Sequence, residues 1–257
     1  MHGAVAVLTS VVLLSAMVGG TAVAADAPAA STSAQGRTWS SIAKLPDWSG
    51  VWDLDYQSRR GGGLARPAPP HMTPEYAAKY AAYQERQKHG LEEQTETANC
   101  VPPGMPQIMA QPYPIEFLFT PGKVTVAIEA YSQMRRIFTD GRKHPDDPDP
   151  SFQGNSIGHW EGDTLVVDSI GFIPTSLIAP GVGHGDDMRI VERIHRLPDD
   201  VMEIQQTITD PKVLMEPYVS MHYYKRHKDW DINEYICTQN NRDSADPEGR
   251  AGLKIER

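Results

Sequence analysis

The chain has 257 residues, with 33 acidic against 24 basic side chains and a formal net charge of −9. With no basic block anywhere, attraction to nucleic acid or to an anionic lipid surface is excluded as the organising principle. The length suits one domain able to bury a full core, and the two cysteines, Cys100 and Cys237, lie far apart in sequence.

In chain order, Ala4 to Val18 is an almost uninterrupted apolar run, followed by Gly19-Gly20 and then Ala22-Val23-Ala24, a small-x-small pattern. This reads as a signal peptide over residues 1–25. The run is shorter than the roughly 20 residues a bilayer span requires, and no later stretch is apolar enough to span. The expected location is therefore periplasmic or secreted, with no membrane span after cleavage. In such an oxidising compartment Cys100 and Cys237 are expected to form a disulfide tying an early loop to the last strand. Residues 26–45 are small, polar and without period, and read as a flexible leader. Residues 46–257 form the expected single domain.

In LPDWSGVWDLDY, Trp52, Leu54 and Tyr56 share one face of a strand. The Gly- and Pro-rich RRGGGLARPAPP that follows is a connector. Thr73-Pro74-Glu75 opens a helix, with Thr at the N-cap, Pro in the first turn and Glu at the positive end of the dipole; His89-Gly90 ends it. Tyr76, Tyr80 and Tyr83 fall on one side, as a packing stripe against the sheet or, less favoured, a ligand-stacking face. CVPPGMPQIMAQPYP reads as an ordered loop laid across something larger.

From Ile115 onward short strand-like runs alternate with turns: IEFLFT, KVTVAIEAYS, MRRIFTD, SIGHW, TLVVDSIGF, DMRIVERIHR, VMEIQQTITD, VSMHYYKRH and EYICTQ. Consecutive strands joined by short turns are antiparallel neighbours, and a long meander removes its edges by closing. The expected fold is mainly β: an antiparallel up-and-down, lipocalin-like barrel of about 8–10 strands with one inserted helix near 73–90. A two-layer sandwich is the less favoured closure.

Strand alternation places the candidate chemistry. In MRIVERIHR, Met188, Ile190, Glu192 and Ile194 share the more apolar face, so Glu192 is expected to point inward. In TLVVDSIGF, Val166, Asp168, Ile170 and Phe172 share a face apolar except for Asp168. An unpaired charge at either place is costly, so each acid is expected to be paired, with Arg135 or Arg136 as candidates, or protonated and able to act as acid or base. Between these strands lies the glycine-hinged loop GVGHGDD. There His184 with Asp186 reads as a general base and its orienting acid; two ligands of a divalent metal, completed by Asp168 or Glu192, is the less favoured alternative. The expected catalytic set is His184, Asp186, Glu192 and Asp168. The expected substrate-binding set is Glu129, Tyr131, Arg135, His159, Trp160 and Phe172, with solvent exposure the plainer reading for Glu129 and a strand end for His159. No metal and no organic cofactor is assigned.

The motifs PDWSGVW, MTPEY, CVPPGMPQIM, PYPIEFLFTPG, MRRIFTDGRKHP, SIGHWEGDTLVVDS, TDPKVLMEP and EYICTQNNR, with the segment from HGDD to VER, occur in this order in a large group of exported, mostly uncharacterised bacterial proteins, abundant in sphingomonads and acidobacteria. The chain resembles that group from about Pro46 to Arg242. The resemblance implies an exported domain with Cys100 and Cys237 at the group's cysteine positions, and His184, Asp186, Glu192 and Arg193 at its His-x-Asp and Glu-Arg positions. Members often have arginine where this chain has His159.

No nucleotide-binding loop and no Ser or Cys nucleophile motif is present. The expectation is a cofactor-independent enzyme, a lyase, isomerase or hydrolase, using acid–base chemistry on a small, partly apolar or aromatic molecule. A non-catalytic carrier of the lipocalin type is the alternative. An envelope interaction module would follow only from a barrel whose interior is filled.

Overall fold

Period-two alternation of buried and exposed side chains runs through every long strand. On β10 (Val201–Thr209), Met202, Ile204, Gln206 and Ile208 are buried. On β9 (Arg189–Leu197) the buried positions are Ile190, Glu192 and Ile194. Strands of this pattern can bury one face by curling round a common interior. In the computed structural model they do so: strands β1 (Val51–Leu54), β2 (Ile115–Thr120), β3 (Lys123–Ile128), β4 (Gln133–Phe138), β5 (Asn155–Glu161), β6 (Thr164–Ile170), β9, β10 and β11 (Tyr218–His227) form a closed barrel. The order is β1-β11-β10-β9-β6-β5-β4-β3-β2, with β2 pairing back onto β1. The structure describes residues 36–55, 68–89, 100–237, 244–245 and 251–252, all within the unit Thr32–Arg257. The expected signal peptide lies outside the described residues.

The barrel and its single long inserted helix, α2 (Pro74–Lys88), match the reading of the sequence. One pairing departs from an up-and-down meander. Strands β4 and β5 are parallel, in register at Ile137 with Ser156 and Phe138 with Ile157. The connection between them, residues 139–154, is long enough to return the chain to the same end. Strands β6 and β9 pair directly, and the intervening segment forms a small hairpin, β7 (Leu177–Ala179) and β8 (Val182–Gly183), outside the barrel sheet. Of EYICTQ, expected to be the last strand, the described residues 234–237 do not join the sheet. Tyr235 instead stacks edge-on against Tyr113 and tilted against Tyr131, each 5.1 Å away, and its carbonyl accepts from Ser132 Oγ at 3.2 Å.

Residues 36–45, within the stretch read as a leader, are described and include a short helix. Thr38 caps the short helix α1 (Trp39–Ile42) through a reciprocal capping box with Ser41. The PDWSGVW motif then proves to be an anchor. Asp47 accepts from Ser49 N at 3.0 Å and Ser49 Oγ at 2.6 Å, and Arg226 of β11 reaches Asp47 Oδ2 at 2.8 Å and Ser49 O at 2.6 Å. The Ser49 bonds, then Arg226, hold the Asp47 carboxyl well below its ordinary range. Gly50, at φ +93, is required because a Cβ there would stand 3.1 Å from His227 O.

The sulfurs of Cys100 and Cys237 are bonded, with Cα atoms 5.6 Å apart across 137 residues of sequence. Such bonds persist in oxidising compartments, so the pair fits a protein outside the cytosol. Among the described residues no helix is long and apolar enough to cross a membrane.

The interior has layers. Trp48, Phe117, Phe119 and Trp160 pack with ring centroids 5.0–5.7 Å apart, and Trp52 Nε1 donates to Trp48 O at 3.0 Å. Burying each such ring contributes roughly 1.5–3 kcal/mol. Next to this plug the barrel is polar. Arg135, projecting from β4, crosses the interior to Glu192 on β9; both are fully buried. Its Nη1 donates to Glu192 Oε1 at 3.1 Å, and its Nη2 donates to Glu192 Oε2 and to Ser169 Oγ at 3.0 Å. Ser169 and Ser156 share a hydrogen bond of 2.8 Å.

Removing one member of this pair leaves a buried charge unpaired. In chemical denaturation Glu192→Leu is expected to lower stability by about 3–5 kcal/mol, and the double variant Arg135→Met, Glu192→Leu to recover most of that loss. A loss in the double variant equal to the sum of the separate Glu192→Leu and Arg135→Met losses would show that the pair is not coupled.

Candidate active site

The glycine-hinged loop does not assemble the dyad expected of it. His184 is half-buried, with Nδ1 2.6 Å from Gly185 O and Nε2 2.9 Å from Ile173 O. Both ring nitrogens therefore face backbone carbonyls, and Asp186 is exposed and contacts neither. The acid that organises this loop is Asp210. Buried beside β10, it accepts from Gly185 N at 2.6 Å, Lys212 N at 3.1 Å and Val213 N at 3.2 Å. His184 is a strut of the loop, fastening it to Ile173.

Asp168 is the second correction. The inward face of β6 carries Leu165, Val167 and Ser169, while Val166, Asp168 and Ile170 face out. Outside, Asp168 accepts from Arg189 Nε at 2.7 Å and Nη2 at 2.5 Å, and His144 Nε2 lies 3.4 Å away. Glu192 does point inward, as expected, and is tied to Arg135. The three acids and one imidazole expected to cooperate therefore do not converge, and among the described residues no three His, Cys, Asp or Glu side chains are grouped to hold a metal ion.

The expected binding set is likewise dispersed. His159 is exposed on the outside of β5, 3.2 Å from Glu161. Trp160 belongs to the aromatic plug, and Phe172 is buried with its ring edge-on to His184. Glu129 accepts from Asn233 N at 2.9 Å, and Tyr131 packs on Tyr235. Arg135 alone bears on the cavity described next, through Glu192.

That cavity, about 390 Å³, lies between α2, the β7–β8 hairpin, the turn of 3₁₀ helix at Gln107–Ala110 and the inner faces of β10 and β11. None of the side chains expected to be catalytic lines it. Tyr80 and Tyr83 form one wall, stacked with centroids 6.1 Å apart. The helix can approach because position 181 is glycine: at φ +77, a Cβ there would fall 2.2 Å from the Tyr83 ring. The opposite wall comes from β11, whose alternation turns Tyr218, Ser220 and His222 inward and Val219 and Met221 outward.

His222 is the group sequence reasoning missed. Its Nε2 lies 3.0 Å from Gln206 Oε1, which also accepts from Ser220 Oγ at 3.2 Å. Gln206 Nε2 in turn donates to Glu192 Oε1 at 3.1 Å. A carboxylate only accepts, so it fixes which end of the amide faces it. The amide oxygen must then face His222, whose Nε2 carries the proton, leaving the Nδ1 lone pair without a protein donor among the described residues. Strand register supports the chain: Ser220 pairs with Gln206, and Gln206 with Glu192. Burial pushes the His222 imidazole from 6.5 down to about 4, against the opposing pull of the Glu192 charge. Tyr218 is pushed upward, by burial and then by Tyr80, and stays a protonated phenol. The site thus offers one neutral proton acceptor and one phenolic donor between aromatic walls. The available signal was the spacing of Ser220, His222 and Tyr224 at every second position beside a strand bearing Gln206.

No protein-family model matches the chain, and no curated protein matches it.

The His222 shift has a stability consequence. An imidazole whose folded pKa is depressed contributes stability above its unfolded value near 6.5, and that contribution is lost as pH falls toward 4. Unfolding measured between pH 7 and 4 is expected to lose roughly 2–3 kcal/mol over that window from this group. His222→Asn should flatten that part of the profile; an unchanged profile would contradict a buried neutral imidazole.

Proposed function

We propose that the protein is an exported enzyme that uses acid–base chemistry on a small, partly apolar or aromatic molecule, with His222 as the proton acceptor. The observation that carries this reading is an imidazole, His222, held through Nε2 by Gln206 and lining a tyrosine-walled cavity of about 390 Å³, an arrangement that leaves the proton off Nδ1. That volume lies within the usual range for small-molecule sites, about 300–1,000 Å³. A base kept neutral at physiological pH is ready to take a proton, and a second group fixing its other nitrogen is the arrangement general bases require. Tyr218 is placed on the same strand face, two rungs along, as the complementary donor. Proton abstraction followed by elimination, isomerisation or hydrolysis uses these two groups without further machinery. The apolar run at residues 4–18 and the disulfide support export.

The test is turnover. Purified protein is incubated with a panel of small aromatic alcohols, ethers and esters, and products are followed by mass spectrometry. His222→Ala is expected to lower kcat on any substrate found by about 10²–10⁴-fold, with circular dichroism unchanged and affinity shifted less than about tenfold. If bound compounds are never converted, or if conversion survives His222→Ala, the catalytic reading fails and a carrier for the same class of molecule takes its place.

A further inference from the structure

Resting on the cavity reading above, we infer that the site selects an uncharged aromatic compound bearing a hydroxyl group, a phenol or aryl alcohol, over the corresponding carboxylate. The reason is directional. Arg135 donates to Glu192, Glu192 accepts from the Gln206 amide nitrogen, and the Gln206 amide oxygen accepts from His222 Nε2. Each link leaves one polarity for the next, so the buried ion pair dictates, at two removes, that the second ring nitrogen of His222, a residue lining the cavity, carries a lone pair. A lone pair accepts a hydrogen bond from O–H and repels a carboxylate oxygen. No Lys or Arg lines the cavity among the described residues, so an anion finds no compensating charge there. Much of the rest of the wall, including Tyr80, Tyr83, Pro106, Pro180 and Ile178, is flat or apolar and suits a ring, and the Gln107 amide is turned to Ile178 O, leaving Gln87, besides Gln206, as the other uncharged amide in the lining. Gln206 is a positioning residue in this scheme: it need not touch the ligand to set its selectivity.

The experiment compares four probes sharing one ring system, by isothermal titration calorimetry on the full chain at pH 7: 2-naphthol, 2-methoxynaphthalene, naphthalene and 2-naphthoate. 2-Naphthol is expected to bind at least about tenfold tighter than each of the others, the effect of one well-placed buried hydrogen bond. Gln206→Met, which frees the imidazole to exchange its proton between nitrogens, is expected to reduce that preference to within about threefold while naphthalene affinity holds; a merely structural role would weaken all four alike. If that variant does not fold, the wild-type series stands alone, joined by nitrogen-15 NMR of the histidine rings, in which His222 Nδ1 should appear unprotonated. Binding of 2-naphthoate or 2-methoxynaphthalene as tight as 2-naphthol overturns the inference and leaves the cavity reading intact. A protonated Nδ1 does the same. Failure of all four to bind overturns both.

Discussion

A single charge pair, Arg135 with Glu192, constrains the middle of this barrel. Charges so deep are costly to desolvate and depend on hydrogen bonds to offset that cost. Here the carboxylate accepts from both terminal guanidinium nitrogens on one side and from the Gln206 amide on the other, and Ser169 takes a further guanidinium proton, while Arg135 Nε has no partner among the described residues. The interior divides into an aromatic plug of Trp48, Phe117, Phe119 and Trp160 and a polar layer opening toward a cavity. The pair thus has an electrostatic role beyond stability: it gives a uniform direction to every hydrogen bond leading from it to His222.

The architecture was legible because most strands have one decisively apolar face. Val124, Val126 and Ile128 on β3, and Ile190 and Ile194 flanking Glu192 on β9, could be assigned inward from spacing alone, and the Thr-Pro-Glu start marked α2. Strand β6 was ambiguous, since Leu165, Val167 and Ser169 on one face and Val166, Asp168 and Ile170 on the other are equally greasy. What makes the outer face half-buried is the connection 139–154, which returns across it and brings His144 to Asp168 and pairs Ser151 with Phe172. Such covering by a distant segment leaves no period in the covered strand.

The candidate site was hidden by the opposite effect. On β11 the inward face carries Tyr218, Ser220 and His222, while Val219 and Met221 are 48% and 36% exposed. A strand lining a cavity reverses the usual rule, because its polar side chains find partners inside. Glycine and histidine in a loop, by contrast, form a recognisable string that is easily mistaken for chemistry. In GVGHGDD the imidazole joins two backbone carbonyls, and the anchoring acid, Asp210, comes from a turn more than twenty residues later.

The parallel contact between β4 and β5 has a mechanical meaning. Most neighbouring strands are laced by an extended antiparallel ladder, whereas this pair meets only near Ile137 and Phe138, as the closing pair β1 and β2 meets only at Val51 and Trp52. The cylinder therefore has a short-stitched side here, and Arg135 projects from β4, which borders it, to grip β9, three places along in the strand order. An ion clasp does there what main-chain lacing does elsewhere. Slackening it would loosen the wall and unsettle the imidazole together, so that the closure of the tube and the orientation of its base are governed by the same two side chains.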